Sequence, residues 1–196
     1  MGVIAKHAQL HSVQKMESAH QLINHLDLGP IKVKIMDKEE GLDWTRKQAD
    51  EVEKFYKRFL FLNFKYPEKS IVPNKQVDAF WHFHILDTMK YAEDCNAIFG
   101  YFLHHFPYFG MRGERDAHNL QNAFSDTCTL FEQEFGEPLG SLAQFFKKAS
   151  AASVCASPNC YGSGCVGSKC GSEPDDPSLS ASTNIKRDLS RPSLAC

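Results

Sequence analysis

Val77-Asp-Ala-Phe-Trp-His-Phe-His-Ile-Leu-Asp87 is followed closely by Tyr91, Cys95 and the pair His104-His105. At about 100° per residue, the apolar positions of 77–99 (Val77, Phe80, Trp81, Phe83, Ile85, Leu86, Met89, Ile98, Phe99) fall almost all round a helix. A helix apolar on most sides belongs in the middle of a bundle, so an all-α fold is predicted with this helix central. Asn74 is positioned as its N-cap and Gly100 as its C-cap. Buried imidazole and carboxylate groups need partners, either a metal or one another.

The flanking sequence fits the same class. The spacing predicts a helix over about 43–64, with Trp44, Val52, Phe55, Tyr56, Phe59, Leu60 and Leu62 on one side and Lys47, Glu51, Lys54 and Lys57 on the other. Helices are also predicted over 3–27, about 116–135 and 139–148. Gly29-Pro30 closes the first. Ile31-Lys-Val-Lys-Ile35 alternates at period two and reads as a short strand or an extended segment. The loop 101–115 is dense in Phe, Tyr and His and should fold back on the core. The expected architecture is a bundle of four to six helices over residues 1–149. From residue 150 aromatics almost vanish and Ser, Gly, Pro and Asp dominate, which predicts a disordered Cys-rich tail over 150–196.

Composition narrows the function classes. The chain has 196 residues and a formal charge of −2, so no broad basic surface for nucleic acid is implied. No apolar run reaches the ~20 residues of a membrane span, and no signal-peptide pattern opens the chain. A soluble cytoplasmic protein is expected. Its seven cysteines are then reduced thiols or metal ligands rather than disulfides.

Asp78 and His82 stand four apart and share a helix face; a carboxylate there can orient an imidazole or join it at a metal. His84 lies about 200° away from His82 on a regular helix, so the two cannot hold one ion unless the helix is unwound. His84 shares its line with Tyr91 and Cys95, and Asp87 lies within a turn of it. Two ligand sets stay open: His82 with Asp78 and one loop histidine, or His84 with Cys95 and one loop histidine. The loop ligand is His104 or His105, since neighbours in a chain point apart. Either set suits zinc, iron or copper. Trp81, Asp87 and Tyr91 form the near shell. In the competing reading the His, Asp and Tyr groups only satisfy each other, and the protein is a non-catalytic interaction module. His7 and His11 also stand at i, i+4 but lack a third ligand nearby, and solvated helix residues explain them. Cys155, Cys160, Cys165 and Cys170 recur every fifth residue; such thiols could gather Cu(I) or zinc, or the tail could dock a protein partner.

The run Asp78, Trp81, His82, His84, Asp87, Tyr91, Cys95, continued by Phe99-Gly-Tyr-Phe-Leu-His-His-Phe-Pro107, resembles the glycine-rich domain-containing protein-like family of plants, fungi and bacteria. The resemblance covers about residues 45–136. It implies a recurring Trp-His-x-His site but no particular reaction. Some relatives carry an added RNA-binding domain, which this chain lacks. The combined expectation is a soluble metal-binding protein, an enzyme if the metal keeps an open position.

Overall fold

The computed structural model describes residues 14–154, with side chains to residue 148. The first thirteen residues lie outside it, and so do residues 155–196. The expectations for His7, His11, Cys155, Cys160, Cys165 and Cys170 therefore fall outside the described residues.

The described residues form seven helices and no strand. They are α1 over 14–24, α2 Gly29–Met36, α3 Arg46–Lys65, α4 Lys75–Leu86, α5 Thr88–Phe99, α6 Glu114–Phe135 and α7 Ser141–Val154. None is long and apolar enough to cross a membrane. The all-α class is as expected. The helix number exceeds four to six because two segments divide differently from the sequence reading.

The first is 31–35, which is helix and not strand. Pro30 occupies the first turn of α2, where its missing N–H costs nothing. Ile31 and Ile35, four apart, are buried, while Val33 is 65% exposed. The period-two pattern misled because no second strand exists among the described residues to take up its backbone hydrogen bonds. A helix satisfies those groups internally. Gly29-Pro30 thus opens α2 instead of closing α1.

The second is 74–99, which breaks at Asp87. Asn74 caps α4, its side chain accepting from the Val77 N–H at 3.0 Å. Asp87 leaves helical geometry (φ −81°, ψ 73°) and its carboxylate accepts from the Lys90 N–H, restarting the chain as α5. Gly100, in the left-handed region at φ 76°, ends α5.

The central helix is α3, not 74–99. It packs against α2, α4, α6 and α7. Thr45 caps it in a reciprocal box with Gln48. Ala49, Val52, Phe55, Tyr56, Phe59, Leu60 and Leu62 line its buried side. Phe55 stacks on Phe131 of α6, and Phe59 lies against Trp81 of α4. The last helix runs to Val154, past the expected end at Lys148. Ala149, Ala151 and Ala152 carry it on, because alanine has the highest helix propensity.

Candidate metal centre

Asp78 and His82 sit on consecutive turns of α4, and the loop after α5 brings His105 over them. His105 Nε2 is 3.0 Å from Asp78 Oδ1 and 3.0 Å from His82 Nε2. His82 Nε2 is 3.6 Å from Asp78 Oδ2. Three lone-pair-bearing atoms therefore converge on one small volume. Protons alone satisfy this arrangement poorly. If the His105 Nε2–H donates to Asp78, it reaches His82 only by sharing one proton in a weaker three-centre bond. If it carries no proton, its lone pair faces a carboxylate. A cation between the three removes the conflict, and these residues could hold one.

A chain of hydrogen bonds positions the loop. Trp81 Nε1–H donates to the Tyr91 hydroxyl at 2.8 Å, and that hydroxyl donates to the Leu103 carbonyl at 2.5 Å. Two residues further on, His105 lies against the Trp81 ring, centroids 4.6 Å apart. Trp81 and Tyr91 are therefore structural supports for His105. Asp78 and His105 are partly buried, and His82 is 51% exposed, so the centre lies at the surface. Asp78, Trp81 and His105 also line a cleft of about 550 Å³.

The other expected site residues go elsewhere. His84 points to the opposite side of α4 and is 1% exposed. Its Nδ1 lies 2.8 Å from the Tyr56 hydroxyl, and its Nε2 lies 3.0 Å from Asp94 Oδ2. The network assigns the tautomer: Nε2–H donates to the carboxylate and Nδ1 accepts from the phenol. Both ring nitrogens are used. Burial pushes the His84 pKa down, opposed by the Asp94 carboxylate. His84 is thus a core hydrogen-bonding residue, not part of the converging group. Its divergence from His82 follows from their spacing of two on a regular turn, since the helix breaks only afterwards, at Asp87.

His104 lies against Phe102 and lines the same cleft, but it is not among the three converging residues. Cys95 is buried and outside any disulfide, burial raises its thiol pKa, and it is not among the converging residues. Asp87 is spent as a helix cap. Of the two open sets, the structure brings together Asp78, His82 and a loop histidine, and does not assemble His84 with Cys95. Asp94 and Tyr56 were missed as partners of His84. On a straight helix Asp94 would stand ~15 Å along the axis from His84. Only the break at Asp87 folds it back.

Comparison with protein families gives a match to the UCP032817-like family over residues 18–136. The chain belongs to the UCP032817-like family. This corrects the resemblance to the glycine-rich domain-containing family: the Trp-His-x-His run and its flanking residues fall inside the UCP032817-like match. The match covers α2 to α6 in full, and so all three converging residues. No curated protein and no solved structure matches the chain. The name UCP032817-like carries no activity.

Proposed function

We propose that this UCP032817-like protein binds one divalent transition-metal ion through Asp78, His82 and His105. The observation that carries this is the convergence of the ligand atoms: His105 Nε2 lies 3.0 Å from both His82 Nε2 and Asp78 Oδ1, and His82 Nε2 lies 3.6 Å from the other carboxylate oxygen, Oδ2. Two ligands about 2.1 Å from a common ion lie about 3.0 Å apart at a right angle and about 3.4 Å apart at the tetrahedral angle. The two 3.0 Å separations match the right angle, and the 3.6 Å from His82 to the second carboxylate oxygen lies a little beyond the tetrahedral value. Two imidazoles and a carboxylate suit zinc or iron(II), and the absence of a thiolate from the set argues against Cu(I). Three protein ligands leave at least one position for water or a substrate oxygen, the arrangement of metal centres that do chemistry. Trp81, fixed by Tyr91, would orient His105 as an outer partner.

The test is metal analysis of the full chain, purified without chelator, beside His82→Ala and His105→Ala. Near-stoichiometric zinc or iron is expected in the parent and little in either variant, with helix content unchanged by circular dichroism. A parent protein that takes up neither metal after dialysis against it, or a His105→Ala variant that keeps the full complement, would overturn the proposal. The interaction-module reading would then stand.

A further inference from the structure

The cleft beside the triad is unevenly furnished. Ile71, Leu103, Phe106, Phe109 and Leu120 give it an apolar wall. Among the described residues lining it, Asp78 is the one carboxylate, and Lys69 and Lys75 are its ammonium groups. Neither lysine forms an ion pair with a described residue. Lys75 precedes Asp78 by three residues on α4 and so shares its face. Two other clefts, of about 490 and 460 Å³, hold none of the three converging residues.

With a divalent ion held by one carboxylate and two neutral imidazoles, this corner keeps a positive charge, and the two lysines add to it. A surplus of positive charge beside an apolar wall selects an anion with an apolar body. We infer that the cleft binds a small monocarboxylic acid with an aromatic or aliphatic body. One carboxylate oxygen takes the open metal position, the Lys75 ammonium donates a charge-assisted hydrogen bond to the other, and the body lies along Leu103, Phe106 and Phe109. This assignment depends on the metal site proposed above.

The experiment loads the full chain with cobalt(II), whose visible spectrum reports its ligands, and titrates three probes: phenylpropanoate, phenylpropanol and acetate. Phenylpropanoate is expected to shift the cobalt bands and to bind at least about tenfold more tightly than either the uncharged alcohol or the short acid. Lys75→Gln, at an exposed position in the first turn of α4, should weaken phenylpropanoate about tenfold, the scale of one charge-assisted hydrogen bond, and leave cobalt affinity unchanged. If cobalt binds but the three probes bind alike, or none does, the ligand assignment falls and the metal site stands. If phenylpropanoate binds equally well to Lys75→Gln, the charge argument fails and the assignment with it. If no cobalt binds, both fall together.

Discussion

His82 and His84, two residues apart, do unlike work. His84 has a phenol on one ring nitrogen and a carboxylate on the other, and both partners lie in or beside the core. His84→Ala removes a buried ring and leaves the Tyr56 hydroxyl without its acceptor. A loss of about 2–4 kcal/mol of unfolding free energy is expected by urea titration, with metal content preserved. His105→Ala should behave in the opposite way. It should lose the metal, while metal-free stability falls by only about 1–2 kcal/mol, because the ring is only partly buried and its packing partner Trp81 keeps its bond to Tyr91. Equal effects of the two substitutions on both readouts would contradict this division.

Between helices, short polar devices set the geometry. Asp87 stops α4 and restarts α5, and this turn brings Asp94 to His84 and Tyr91 to Trp81. Asp87→Ala should cost about 1 kcal/mol, the usual worth of an N-cap, read as a lower urea midpoint with unchanged slope. Gly41 closes the turn between α2 and α3 where the chain folds tightly on itself. A Cβ there would run into the carbonyl oxygens of Lys34, Ile35 and Asp37. Backbone atoms cannot swing aside as a side chain can. Gly41→Ala should therefore destabilise by about 3 kcal/mol, the upper end of the overpacking range, and a neutral result in thermal unfolding would contradict the close approach.

Across the molecule, two titrations shape stability. His84 is held below the ordinary imidazole pKa of 6.5 by burial, so the unfolded chain takes up a proton first as pH falls. Stability is whole above that value and declines as pH drops from 6.5 toward the depressed one. Glu137 behaves as a salt-bridged carboxylate. Arg58 and Lys54 of α3, with Ser141 of α7, draw its pKa from 4.5 to about 2. Its contribution is present above 4.5 and fades as pH falls toward about 2. Asp50, Asp116 and Glu134 are also lowered by their cationic partners, and their contributions likewise fade as pH falls below their ordinary carboxylate values. Urea unfolding of metal-free protein across both ranges should show two declines. His84→Gln should flatten the upper one and Glu137→Gln should reduce the lower one, each leaving the other in place.

What the amino-acid order determined by itself is local. The wet and apolar sides of α3, the Asn74 and Gly100 caps and the shared face of Asp78 and His82 all depend on neighbours within a few residues. Those relations survive whatever the rest of the chain does. The central place of α3, the helical state of 31–35, the choice of His105 over His104 and the pairing of His84 with Tyr56 and Asp94 were decided by the tertiary structure. Each joins groups distant in sequence, or depends on a partner being present or missing. Tyr56 and His84, for example, are 28 residues apart. Spacing along one helix cannot carry such relations, because a single turn in the chain at Asp87 changes which atoms meet.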